Sequence, residues 1–178
     1  RGAEMKMQFT YNIYLIGFMG SVKSTVADYL CEKFDMDVVE MDQVIAERER
    51  MSISDIFEKH GELYFRDLET KLLVELQEKS NTVVSCGGGV AMRECNVAEM
   101  KKNGKVVLLT AKPETILERV ENNHDRPLLE NNKTVAYIAE LMEKRREKYE
   151  AAADMIIETD GKSAQKICEE MIQRLGEQ

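Results

Sequence analysis

The chain has 178 residues, 43% of them hydrophobic and 33% charged, and its 25 Lys and Arg against 33 Asp and Glu leave a net charge of −8. That length and mix fit one globular domain that holds a core without disulfide or metal, and exclude fibrous and low-hydrophobicity disordered chains. The acidic balance argues against nucleic acid as a partner, and no apolar run approaches the ~20 residues of a membrane span.

In chain order, Arg1–Glu4 precedes Met5 and Met7 and reads as a cloning remnant outside the fold. Asn12–Gly17 (NIYLIG) is a short apolar run ending in glycine, as a buried parallel strand does. Lys23–Phe34 carries Val26, Ala27, Leu30, Cys31 and Phe34 at helical spacing. Asp37–Met41 reads as a second strand, followed by short helices over Asp42–Arg50 and Ser52–His60, with Ser52 or Ser54 as N-cap and Gly61 as the stop. Glu62–Lys79 is a longer amphipathic helix, and Thr82–Cys86 a third strand running into Gly87, Gly88 and Gly89. Val97–Asn103 is helical, with Gly104 closing it before the strand Lys105–Thr110. Pro113 suits the first turn of a helix through Glu121. Asn122–Lys133 is polar, rich in asparagine and without periodicity, so it reads as a functional or disordered loop. Thr134–Ala153 is helical, Met155–Glu158 a fifth strand and Ser163–Leu175 the last helix. Strands alternating with helices predict a three-layer α/β/α fold on a five-stranded parallel sheet, in one domain.

The strongest chemical signal is Gly17–Thr25 (GFMGSVKST), set between a strand and a helix as a phosphate-binding loop requires. Backbone N–H groups and the helix N-terminus of such a loop point at phosphates, a lysine at the place of Lys23 neutralises β- and γ-phosphate charge, and a hydroxyl at the place of Ser24 ligates Mg2+. Val22 stands where G-x-x-x-x-G-K-[ST] has glycine. The position favours a left-handed backbone, which costs a side chain about 1–2 kcal/mol, and a valine there points methyl groups toward the phosphates. Glycine to valine is a single-base change, so an introduced substitution is one reading and a naturally reshaped loop the other.

Glu40 and Asp42 fall at the carboxyl end of the second strand, beside the ligand crevice of an open α/β sheet. Either serves a metal's water or a substrate hydroxyl; Asp42 as an N-cap is the plainer alternative. Three successive glycines let backbone pass close to a ligand. Arg66, Arg126 and Arg145 are surface residues on the plain reading, and a carboxylate or phosphate clamp if they converge. Cys31, Cys86, Cys95 and Cys168 are scattered without ligand spacing and read as reduced thiols, as in a cytoplasmic protein.

Taken in order, Ile16–Thr25 interrupted by Val22, Glu40-Met41-Asp42, Ser52–Glu69 (SISDIFEKHGELYFRDLE), Gly87–Gly89, Arg126–Leu129 (RPLL) and Lys144-Arg145 resemble the shikimate kinase family over Asn12 to Leu175. The resemblance implies strand order 2-3-1-4-5, as in nucleoside-monophosphate kinases, and MgATP-dependent phosphorylation of the 3-hydroxyl of shikimate. It implies that Gly20, Ser21, Val22, Lys23, Ser24 and Thr25 hold the nucleotide and that Arg119 stacks on adenine. Ser24 and Glu40 serve Mg2+, Glu40 standing where the family usually has aspartate. Asp42 holds the shikimate hydroxyls and orients or deprotonates the nucleophile. Arg66 and Arg145 grip the carboxylate, Gly87, Gly88 and Gly89 lie beside it with backbone donors, Phe57 and Phe65 pack the ring, and Glu69 orients Arg66 one helical turn away. Arg126 reaches the transferring phosphate from a lid over about 121–133, opposite substrate-binding helices over about 42–79. The chain then reads as a single domain over 12–176 acting as a monomer. Two alternatives stand beside it: another small-molecule P-loop kinase of gluconate type, and a non-catalytic shikimate-binding homologue disabled at Val22.

Overall fold

The computed structural model describes residues 9–121 and 134–176. The head of the chain and the expected lid over 122–133, Arg126 included, lie outside the described residues. Five strands, β1 (Asn12–Ile16), β2 (Asp37–Glu40), β3 (Thr82–Ser85), β4 (Gly104–Thr110) and β5 (Met155–Glu158), form one sheet in the order β2-β3-β1-β4-β5. Every pairing is parallel, with Tyr14 opposite both Val84 and Val106 at the centre. Parallel strands need helical crossovers, which cover both faces. The helices are α1 (Lys23–Phe34), α2 (Met41–Glu49), α3 (Ile53–His60), α4 (Glu62–Glu75), α5 (Glu94–Asn103), α6 (Pro113–Val120), α7 (Val135–Ala152) and α8 (Ala164–Gly176).

Alternation along β1 divides the core. Ile13 and Leu15 face α1 and α8 with Val26, Leu30, Ile167 and Met171; Tyr14 and Ile16 face the other layer with Met41, Ile56, Leu73, Met100 and Ile138. Both faces are apolar, so β1 is buried at every position and, after its buried Asn12, reads as a continuous hydrophobic run.

Several boundaries differ from the sequence reading for identifiable reasons. The expected helix over Glu62–Lys79 stops at Glu75 and tightens into a 3-10 turn over Leu76–Glu78. There the Leu76 carbonyl accepts from Asn12 Nδ2 at 3.3 Å, Asn103 Nδ2 at 3.2 Å and Lys79 N at 3.1 Å. α5 starts at Glu94, three residues before the expected Val97, because its polar Asn96 is buried, not surface-facing. Its amide donates to Val90 O at 2.9 Å and accepts from Thr70 Oγ1 at 2.7 Å. Gly104 does not close that helix by a left-handed turn; it is extended at φ −158° and opens β4 opposite Asn12. A Cβ there would lie 2.5 Å from Tyr14 Cε2, so the residue is set by close packing. Of the two candidate caps for α3 it is Ser52, whose side chain accepts from Asp55 N at 3.1 Å.

Candidate active site

The carboxyl ends of β1, β2 and β3 open onto one cavity of about 410 Å3. The phosphate loop lines one end. Gly17 at φ 144° and Gly20 at φ 78° turn the chain between β1 and α1. Val22 is left-handed at φ 63°, ψ 29°, the backbone the motif demands of its glycine, and sits at the N-cap of α1. Its side chain is half-buried against the apolar layer under α1 and α8, and its remaining surface lines the cavity beside Lys23 and Ser24. The side chain is thus shared between the core and the cavity where the phosphates are expected. Lys23 Nζ donates to Gly17 O at 2.6 Å and Phe18 O at 3.2 Å, across the mouth of the loop. Ser24 Oγ donates to Glu40 Oε1 at 2.9 Å, which brings the two expected metal-serving oxygens together. Burial pushes the Glu40 carboxyl up, against the hydrogen bonds from Ser24 and Ser85 that favour its charged form. Gly20, Ser21 and Thr25 also line this end.

Arg119 joins the loop to the far side of the cleft. Its Nη1 donates to Gly20 O at 2.7 Å and Thr159 Oγ1 at 3.1 Å, and its Nη2 to Thr159 O at 3.3 Å. The guanidinium thus ties the phosphate loop to the turn after β5.

The other end is organised by Gly87, Gly88 and Gly89. None of the three has a positive φ; what they require is closeness. A Cβ on Gly87 would lie 2.9 Å from Asp42 Oδ1 and 3.0 Å from Glu69 Oε2. One on Gly88 would lie 2.8 Å from Arg145 Nη1, and one on Gly89 2.5 to 2.7 Å from the Arg66 guanidinium. Gly87 seats Asp42 of α2 and Glu69 of α4, Gly88 seats Arg145 of α7 and Gly89 seats Arg66 of α4, so three helices converge on one turn. Asp42 is not the N-cap of α2, because that helix already begins at Met41 with Glu40 at its cap.

Arg66 is held on several sides. Nη1 donates to Glu69 Oε1 at 2.9 Å, Nε to Glu62 Oε2 at 3.2 Å, and the rings of Phe57 and Phe65 lie 5.8 and 5.3 Å from Cζ. Those rings pack on each other at 5.0 Å and line the cavity. Burial by itself lowers the Arg66 pKa, and the Glu69 and Glu62 carboxylates outweigh it and raise it. Glu69 is fully buried, and its Oε2 makes no hydrogen bond among the described residues. Desolvation pushes its carboxyl up to about 7 despite Arg66, with Asp42 adding to the rise.

Arg145 has a support absent from the sequence reading. Its Cζ lies 5.6 Å from the Phe18 ring centre, within cation–π range. Its Nη1 donates to Tyr149 Oη at 3.4 Å, and that hydroxyl donates to Gly88 O at 2.6 Å. Tyr149 follows Arg145 by one helical turn, a spacing that was available as a signal. Glu62 and Arg66 share the same spacing.

A parallel sheet of this order, a phosphate loop after the central strand and carboxylates after its neighbour define a P-loop kinase. The far end of the cleft is cationic and walled by aromatic rings. The family model described as shikimate kinase matches residues 19–176. A shikimate kinase of Persephonella marina is 45% identical over 164 residues, covering 92% of this chain and 98% of that protein. The structure of shikimate kinase from Acinetobacter baumannii in complex with shikimate superposes with a TM-score of 0.87 at 33% identity, covering 93% of this chain and 92% of that one. The chain belongs to the shikimate kinase family and is an ATP-dependent kinase of that family. A gluconokinase from Sinorhizobium meliloti, at 16% identity and a TM-score of 0.59, covers 96% of this chain and 94% of that one and shares the fold alone.

Proposed function

We propose that this chain transfers the γ-phosphoryl group of MgATP to the 3-hydroxyl of shikimate, with the residues placed above in the following roles. The observation that supports it most is the seating of Asp42, Arg145 and Arg66 on three successive glycines at one end of a cleft whose other end is the phosphate loop. Arg66 and Arg145 take the ring carboxylate in charge-assisted hydrogen bonds, and Phe57 and Phe65 wall the ring. That anchoring turns the 3-hydroxyl toward Asp42, which accepts its proton as the oxygen attacks the γ-phosphorus and the bond to the β-bridging oxygen breaks. Lys23 neutralises charge on the transferring group, and Arg126 does so from the lid. Little covalent chemistry falls to the protein; positioning and charge carry the rate.

Mg2+ fits the oxygens present. Ser24 Oγ and Glu40 Oε1 are paired at the phosphate end, and no cluster of three acidic, histidine or cysteine side chains exists among the described residues. That sparse donor set suits an ion that keeps waters and shares phosphate oxygens. When bound it withdraws charge from the β- and γ-phosphates. Arg119, lining the cleft beside the turn after β5, is the surface for adenine.

We read 12–176 as one domain, and the protein as a cytoplasmic monomer, from its acidic balance, its scattered free cysteines and the lack of heptad pattern. Among the described residues, no helix is long and apolar enough to cross a membrane. Val22 favours a second reading, in which the same site binds the acid without turning over ATP. ADP release from MgATP, with and without shikimate, on this chain and on Val22→Gly separates them. Shikimate-dependent turnover by both supports the first reading, turnover by the glycine form alone supports the second, and no response to shikimate in either overturns the first.

A further inference from the structure

The guanidinium of Arg66 is not an open receptor. One of its faces is covered by Gly89, whose Cβ position is nearly equidistant from Nη1, Cζ and Nη2 at 2.5, 2.6 and 2.7 Å. Nη1 is committed to Glu69, whose side chain is 0% exposed and has no alternative in water. The remaining Nε–Nη2 edge, the side-on fork that matches a carboxylate, is occupied by a single atom. Glu62 Oε2 lies 3.2 Å from Nε and 3.1 Å from Nη2. Glu62 is the first residue of α4, its side chain is 64% exposed, and it lines the same cavity.

We propose that Glu62 is an internal stand-in for the substrate carboxylate: it holds the Nε–Nη2 edge of Arg66 until the acid displaces it, and so sets the affinity for acidic substrates. This deepens, and rests on, the clamp reading given above. The two carboxylates on Arg66 differ in what they can do. Glu69 is buried and fixed, so it positions the guanidinium. Glu62 is solvated and can turn into water, so it yields at small cost, since an exposed ion pair of this kind is weak. The contact also serves specificity. A neutral ring polyol offers only uncharged hydroxyl oxygens to replace Glu62 on that edge, whereas a carboxylate restores both the Nε hydrogen bond and the ion pair with Nη2. Glu62 is a positioning residue in this scheme, acting through Arg66.

The test is titration calorimetry of shikimate into the wild-type chain, Glu62→Gln and Glu62→Ala, with the methyl ester of shikimate as an uncharged control and MgATP as a check that each variant is folded. The expected result is shikimate bound about two- to five-fold tighter by both variants, the order set by one surface ion pair. The ester should show no such gain, and MgATP affinity should be equal in all three. In steady state the same change should fall in KM for shikimate and leave KM for MgATP where it was. A role for Glu62 in merely stiffening α4 or bracing Arg66 predicts weaker binding, and equal or weaker binding by Glu62→Gln overturns the proposal. A wild-type chain that binds MgATP and no shikimate overturns the functional reading, and this proposal with it.

Discussion

The phosphate end of the cleft is one continuous stretch, Gly17 to Thr25, whose shape follows from backbone angles at Gly17, Gly20 and Val22. The far end draws Asp42 from α2, Arg66 from α4, and Arg145 and Tyr149 from α7, and holds them by close packing on three glycines that need no unusual angle, with Phe18 of the loop against Arg145. The first is a local device that tolerates little change in backbone conformation. The second is a tertiary device that tolerates little added volume. The contrast separates how each end fails: the loop through strain at one residue, the clamp through displacement of side chains remote in sequence.

The largest expected effect lies where the two ends meet. Asp42→Asn keeps shape and removes the proton acceptor, so kcat should fall about 10²–10⁴-fold, with shikimate binding much less affected; equal losses in kcat and affinity would make Asp42 a binding residue only. Next is Gly89→Ala, which drives a methyl into the Arg66 guanidinium. Losing one charged hydrogen-bonding partner is worth ~1.5–3 kcal/mol, so KM for shikimate should rise roughly 10- to 100-fold. KM for MgATP should hold, and a matching rise there would mean the two ends are not independent.

Val22→Gly probes the opposite end with the opposite expectation. It relieves about 1–2 kcal/mol of left-handed strain. It also gives up the packing of a half-buried valine and frees the unfolded chain by ~0.5–1 kcal/mol. These offset, so the melting temperature should move by no more than about 4 °C. MgATP affinity should rise while shikimate affinity stays, and calorimetry of the two ligands decides it.

A further effect is in the pH dependence of stability rather than in ligand binding. Glu69 titrates at about 7 in the folded chain against 4.5 in its ordinary state. A raised acid favours its protonated form on folding, so its contribution is full below about 4.5 and is lost as pH rises toward 7, by ~3 kcal/mol at most. Glu69→Gln should flatten that part of the stability profile, measured by urea unfolding at pH 5 and pH 7.5. An unchanged slope would place the carboxyl in contact with water.

Much of this molecule was legible in its sequence. Alternating apolar runs and amphipathic segments made five strands and their crossovers legible, most plainly at β1, where burial on both faces leaves only the buried Asn12 polar. The phosphate loop was equally readable, because its function resides in contiguous backbone, and Val22 showed itself as the one residue out of place. The ordered motifs of the family supplied the residues of the clamp. What they could not supply was the reason for the glycine triplet, the support of Arg145 by Phe18 and Tyr149, or the hold of Glu62 on Arg66. Nor could periodicity place the buried Asn96 inside a helix or Gly104 inside a strand. Contacts between distant elements leave no period and no local signature; they exist only once the sheet has brought α2, α4 and α7 to the same turn.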